Sequence, residues 1–144
     1  MPIGGTQIYD ITENALNALG ITNGASHSEY KITEDGDIYV IEIGGRMGGD
    51  FIGSDLVRLS TGYDFVKGVI EVALGIFNEP KLTESNHSGV YFLSKETEYL
   101  LPYFANANSI EGVLIYEQTD TELRNITCSA DRSGYVIYQA ENKK

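Results

Sequence analysis

Two short alternating segments around an Asp-Gly pair constrain this chain more than any other feature. His27-Ser28-Glu29-Tyr30-Lys31-Ile32-Thr33 runs into Glu34-Asp35-Gly36-Asp37 and returns as Ile38-Tyr39-Val40-Ile41-Glu42-Ile43. Asp-Gly between alternating strands predicts a β-hairpin with a two-residue turn. With Asp35 and Gly36 as the turn, Glu34 pairs with Asp37 and Glu29 falls directly opposite Glu42. Opposed side chains have Cβ atoms roughly 4.5–5.5 Å apart, and like charges there are destabilising. Such a pair calls for a positive partner, and a divalent cation suits two carboxylates.

The period of two sorts the hairpin into faces. Tyr30, Ile32, Tyr39, Ile41 and Ile43 form the expected core side. His27, Glu29, Lys31, Thr33, Ile38, Val40 and Glu42 form the other. The polar end of that second face leads into Gly44-Gly45-Arg46-Met47-Gly48-Gly49-Asp50. Four glycines here predict positive φ angles and close backbone approach to a ligand. Exposed N–H groups in such a loop, Gly48 and Gly49 included, can form an anion-binding concavity. Arg46 adds a planar guanidinium suited to phosphate or carboxylate. Two acids, one guanidinium and a glycine loop are the parts needed to hold a metal-bound triphosphate.

Plainer readings stand beside this one. Lys31 shares a face with Glu29 and can bridge to either acid. A one-residue slip would send Glu42 to the opposite side. Arg46 alone fits a surface arginine, and His27 serves equally as a substrate contact or a hydrogen-bonded structural residue. No Walker lysine or Rossmann spacing accompanies the glycines.

The runs Gly24-Ala25-Ser26-His27-Ser28-Glu29-Tyr30-Lys31 and Val40-Ile41-Glu42-Ile43-Gly44-Gly45-Arg46-Met47-Gly48-Gly49 resemble the C-terminal part of the ATP-grasp domain. The resemblance implies that Glu29 and Glu42 are Mg²⁺ (or Mn²⁺) ligands, with ATP as co-substrate. It implies that Arg46 contacts the transferred phosphate or an acyl-phosphate intermediate, with His27, Lys31, Gly48 and Gly49 as phosphate or substrate contacts. Many ATP-grasp enzymes carry Glu-x-Asn, the Asn also binding metal; here that position is Gly44, which removes one ligand. Gly49-Asp50-Phe51-Ile52-Gly53-Ser54-Asp55-Leu56-Val57 and Ser60-Thr61-Gly62 look most like the L-amino-acid ligase branch, with carbamoyl-phosphate-synthase-like split proteins second. The likeness runs from about Ile11 to Leu74. It continues more weakly to Asp131-Arg132-Ser133-Gly134-Tyr135-Val136-Ile137, which resembles the last strand of the C-terminal lobe.

Because 28 residues precede Glu29, the N-terminal domain and lid of a whole ATP-grasp enzyme are expected to be absent. The implied function is the C-terminal part of an ATP-dependent carboxylate–amine ligase, a fragment or split half that does not turn over alone. A separate N-terminal half is the implied partner. The alternatives are a non-catalytic, ATP-grasp-derived interaction module and a metal-binding domain unrelated to ATP.

The 144 residues suffice for one domain, expected over 1–144, with an ordinary globular composition. A net charge of −11 with only 10 Lys and Arg excludes nucleic acid and anionic membrane as natural partners. No apolar run is long enough to span a bilayer, and no signal-peptide pattern opens the chain. The lone Cys128 fits a reducing cytoplasm, in which the sequons at Asn86 and Asn125 have no role.

The expected fold class is α+β, an antiparallel sheet with packed helices, as in the C-terminal lobe of an ATP-grasp domain. A helix is expected over Gln7–Leu19, ended by Gly20, after a frayed Met1–Thr6. A short helix capped by Ser54 or Asp55 runs through Ser60, its N-terminus offered to an anion. A further helix covers Tyr63–Leu74, burying Phe65, Val66, Val69, Ile70, Ala73 and Leu74. Asn78–Ser88 is a polar loop holding a solvated His87. Strands are expected at Gly89–Leu93, Gly112–Glu117 and Tyr135–Gln139, a weaker one at Arg124–Ser129, and a short helix within Glu96–Phe104 that ends near Pro102. Ten tyrosines show no stacking platform with basic partners.

Overall fold

The computed structural model describes residues 5–141. The fold is α+β, with antiparallel sheets of two and three strands. The elements are α1 (Gly5–Ala18), β1 (His27–Ile32), β2 (Ile38–Gly44), α2 (Val57–Thr61), α3 (Phe65–Leu74), β3 (His87–Leu93), α4 (Leu101–Ala105), β4 (Val113–Gln118) and β5 (Gly134–Ala140). The chain divides into two compact units, one holding Met1–Gly53 and Phe65–Glu79, the other Ser54–Asp64 and Pro80–Lys144. Among the described residues, no helix is long and apolar enough to cross a membrane.

In the first unit, α1 ends where the sequence places it. Gly20 takes φ 71°, and the Ile21 amide donates back to the Leu16 carbonyl at 3.0 Å. This left-handed cap satisfies carbonyls the helix leaves free. Thr12 ties α1 to the hairpin, its hydroxyl 2.6 Å from that of Tyr30. α3 closes the same way, with Gly75 at φ 70° and the Ile76 amide on the Glu71 carbonyl. Its expected stripe is only partly covered: Phe65, Val66 and Val69 are half-buried, whereas Ile70 and Leu74 are exposed.

The hairpin turn differs from expectation. Glu34, Asp35 and Gly36 form a three-residue loop, closed by the Thr33 amide on the Asp37 carbonyl and the Gly36 amide on the Thr33 carbonyl, each at 3.0 Å. Gly36 sits at φ 92°, and the Thr33 hydroxyl accepts from the Asp37 amide. Near the turn the strands pair Ile32 with Ile38, Lys31 with Tyr39 and Tyr30 with Val40. A bulge then absorbs Ile41, and beyond it Glu29 pairs with Glu42, Ser28 with Ile43 and His27 with Gly44. The longer turn shifts the register by one residue and the bulge restores it. The faces change accordingly. Tyr39 joins Lys31 on the side of the acids, while Ile38 and Val40 join Tyr30 and Ile32 on the other.

The second unit is built on the three-stranded sheet, ordered β3-β5-β4 with β5 central. Among the described residues every buried apolar side chain lies here: Leu93, Phe104, Ala107, Val136 and Ile137. Leu100, Val113 and Leu123 pack around Leu93, Phe104 and Val136. Pro102 does not end the helix near it. It occupies the first turn of α4, after a 3₁₀ turn at Glu98–Leu100, where a missing N–H costs no bond. The weak strand expected at Arg124–Ser129 is irregular chain leading to a 3₁₀ turn at Ser129–Asp131. Asp131 organises that stretch, accepting from the Thr127 and Cys128 amides and from the Thr127 hydroxyl. These bonds hold its carboxyl down at about 2. His87 opens β3 rather than lying in the loop, and remains exposed.

Ser54 and Asp55 cap no helix. They lie in a π-helical stretch, Ile52–Leu56, that runs directly into α2, and the Ser54 hydroxyl instead donates to Asp55. The positive helix end expected to face an anion does not form.

Candidate functional site

The polar end of the hairpin and the loop after it bring Glu29, Glu42 and Arg46 together within the first unit and set His27 against Gly48, but place neither Lys31 nor Gly49 in contact with them. Glu29 on β1 stands opposite Glu42 on β2, both exposed. Arg46 reaches back to Glu42, with Nη2 3.2 Å from Oε1, and donates through Nη1 to the Met47 carbonyl at 3.1 Å. One partner of the acidic pair is thereby neutralised. Both side chains are more than half-exposed or close to it, at 60% and 50%. Such an ion pair contributes only about 0–1 kcal/mol and yields readily to a competitor.

Lys31 shares the strand face of Glu29, is exposed, and makes no ion pair among the described residues. The positive partner of the acids is therefore Arg46 and not Lys31. His27, two residues before Glu29, is half-buried, and its Nδ1 has no hydrogen-bond partner among the described residues. Its ring packs on the glycine loop: a Cβ on Gly48 would stand 3.0 Å from His27 Cδ2 and 3.2 Å from Ile52 Cβ.

The loop glycines serve close packing rather than positive φ. Gly44, Gly45, Gly48 and Gly49 all avoid the left-handed region. A Cβ on Gly45 would meet Ile21 Cδ1 at 2.8 Å, and one on Gly53 would collide with the Met47 side chain. Gly49 alone faces open space. The left-handed residues are Asp50 at φ 50° and Phe51 at φ 64°. Asp tolerates that region; a Phe there is uncommon and strained. Only Asp50 carries any sequence signal for it, so this feature of the loop was illegible beforehand.

The donor set fits a cation of one kind. Among the described residues no three Asp, Glu, His or Cys side chains cluster as a metal cage. Two opposed carboxylates beside a guanidinium and a glycine loop instead suit Mg²⁺, which keeps several waters and binds through one or two carboxylates plus substrate phosphates. Gly44 supplies no side-chain ligand, although space for one exists. Its nearest neighbours to a Cβ are Arg46 Cγ at 3.6 Å and Glu42 Oε1 at 3.7 Å. A cavity of about 420 Å³ in the same unit, lined by Ile21, Asn23 and Phe77 among others, includes none of Glu29, Glu42 or Arg46.

No family model matches the chain, and no curated protein matches it. Solved structures do. The L-amino acid ligase from Bacillus licheniformis superposes with a TM-score of 0.68 at 22% identity, over 94% of this chain and 37% of that one. Phosphoribosylglycinamide synthetase from Anaerococcus prevotii gives 0.60 at 16% identity, over 90% and 35%. A biotin carboxylase complex from Campylobacter jejuni gives 0.54 at 17% identity, over 96% and 32%. All three are ATP-grasp proteins, so the fold of this chain is that of part of an ATP-grasp protein. The chain spans about a third of the length of each of these structures.

Proposed function

We propose that this chain is the C-terminal part of an ATP-dependent carboxylate–amine ligase. In that reading Glu29 and Glu42 hold Mg²⁺ (or Mn²⁺) against the ATP phosphates, and Arg46 attends the transferred phosphoryl group. The observation that carries it is the Glu29–Glu42 pairing beside Arg46, on a fold shared with ATP-grasp proteins.

The residues divide the work by charge. The metal supplies Lewis-acid neutralisation of phosphate oxygens. Arg46 has five N–H donors, of which two bonds go to Glu42 and Met47, leaving others for a phosphate or acyl phosphate. A bound phosphate would compete with the Glu42 carboxylate for Arg46, and Glu42 would then be free to serve as a metal ligand. Lys31 lies on the same face as a mobile point charge. His27, Gly48 and Gly49 border the loop where backbone can approach phosphate. The reaction supported is attack of a carboxylate on the γ-phosphate of ATP, giving acyl phosphate and ADP. An amine then attacks the acyl carbon, and phosphate leaves.

The first unit also argues for completion by another body. Ile70, Leu74, Ile76 and Phe77 are 50–66% exposed, and no apolar side chain among the described residues of this unit is buried. Surfaces of that kind mark docking faces. We assign them to the remainder of the ligase, on the same chain or as a separate N-terminal half, in a cytoplasmic setting. That no third protein ligand joins the two acids among the described residues favours one rival, a non-catalytic interaction module on the same fold.

Titration with Mn²⁺ and an ATP analogue, followed by Mn²⁺ electron paramagnetic resonance, separates the two. Binding of Mn²⁺–nucleotide that Glu29→Gln with Glu42→Gln abolishes supports the ligase part. Unchanged binding in that double variant of the assembled protein removes it. A partner lacking any nucleotide site favours the module.

A further inference from the structure

We propose that the second unit carries a binding site for a small organic cation, an amine or quaternary ammonium group on an apolar body. Its walls are Tyr91, Tyr99, Tyr103 and Tyr138, with Glu111 as counter-charge. The site uses none of the residues of the ligase reading and goes beyond it.

Four of the chain's ten tyrosines line this one cavity of about 530 Å³. That volume is in the range of small-molecule sites. Strand register makes the floor. Tyr91 pairs with Val136 and Tyr138 with Gly89, so both tyrosines share one face of the sheet. Their rings stack with centroids 5.6 Å apart and planes 20° apart. Gly89 is what admits this arrangement, since a Cβ there would stand 2.6 Å from Tyr138 Cε1. Tyr99 and Tyr103, four residues apart across the 3₁₀ turn and α4, form the facing wall, the two residues being 68% and 59% exposed.

The electrostatics select the ligand. Among the described residues that line the cavity, Glu111 is the one ionisable side chain besides the phenols. Aromatic faces present negative quadrupole potential and attract cations lying over them. Phe104, Val136 and their apolar neighbours complement the hydrocarbon part of such a ligand. A phosphate or carboxylate would meet both the π faces and Glu111 with the wrong sign. The net charge of −11 further concentrates cations near the surface.

The test is a titration of the whole chain with choline, read on tyrosine ring signals by NMR; the chain has no tryptophan, so tyrosine fluorescence reports as well. The expected result is a saturable change, with the neutral isostere 3,3-dimethyl-1-butanol binding at least about threefold more weakly. Tyr103→Leu and Glu111→Gln, both at exposed positions, should each weaken choline by at least about threefold with an unchanged circular dichroism spectrum. The isostere comparison is made on the unaltered chain and stands independently of either variant. Equal affinity for the isostere, no saturation, or unchanged choline affinity in either variant overturns the proposal.

Discussion

Arg46 Nη2 lies 3.2 Å from Glu42 Oε1, spanning the glycine at position 44 and engaging one member of an opposed acidic pair. The guanidinium therefore occupies the carboxylate that the proposed metal needs. Competition between the two sets the first prediction. Arg46→Ala should tighten binding of bare Mn²⁺, because Glu42 is freed, while weakening binding of Mn²⁺–nucleotide, because a phosphate donor is lost. The stability change should stay within about 1 kcal/mol, as for other exposed ion pairs. Paired isothermal titrations with and without nucleotide check both signs.

Glu29→Gln should leave the fold as stable or make it more so by roughly 0.2–1 kcal/mol, since a like-charge cross-strand pair is removed. Metal–nucleotide affinity should fall at the same time. Urea denaturation set beside a Mn²⁺ titration detects the opposed effects, and a loss of stability would contradict the electrostatic account.

Gly44→Asn should fold and raise Mn²⁺ affinity. A Cβ at that position meets ordinary contacts of 3.6–3.7 Å, and the residue does not sit at positive φ. The amide oxygen adds a ligand beside Glu42. Unchanged metal affinity in a folded variant would place the cation elsewhere.

Gly48→Ala and Gly49→Ala should separate sharply. The first drives a methyl to 3.0 Å from His27 Cδ2 and should cost about 1–3 kcal/mol, the range for overpacking. The second enters open space and should cost well under that. Denaturant midpoints for the two variants give the comparison directly.

Acid should remove the contribution of Asp131. Its carboxyl is held at about 2, against 3.8 without partners, first by the Thr127 hydroxyl and then by the Thr127 and Cys128 amides. A lowered folded-state value adds stability above the unfolded value and loses it as pH falls through the folded one. The stability gap between the native chain and Asp131→Ala should be constant above roughly pH 5 and narrow between pH 4 and 2. Urea unfolding across that range measures it.

Helix ends and the central strand pattern were legible because their causes are local. Gly20 and Gly75 stop their helices by left-handed caps, and alternation marks β3 and β5. The caps expected at Ser54 and Asp55 failed because the chain there winds as a π-helix continuous with α2, leaving no free helix start. Arg124–Ser129 failed as a strand because Asp131 collects its amides in place of a neighbouring strand. Ile70 and Leu74 have helical periodicity, but periodicity does not state what covers a face.

By itself the sequence determined that β1 and β2 pair and that Arg46 follows on a glycine loop, but the two-residue turn from which the meeting of Glu29 and Glu42 was expected does not form. Alternation and turn chemistry act over a few residues and need no distant partner. Only the tertiary structure decided that a three-residue turn and a bulge at Ile41 jointly produce that meeting, and that Tyr39 joins its face. It also decided that Arg46 rather than Lys31 neutralises Glu42, that the loop glycines yield space to Ile21, His27 and Met47, and that four tyrosines converge on one cavity. Those outcomes depend on which side chains compete for the same volume or charge once remote segments are packed together, and spacing along the chain does not encode that competition.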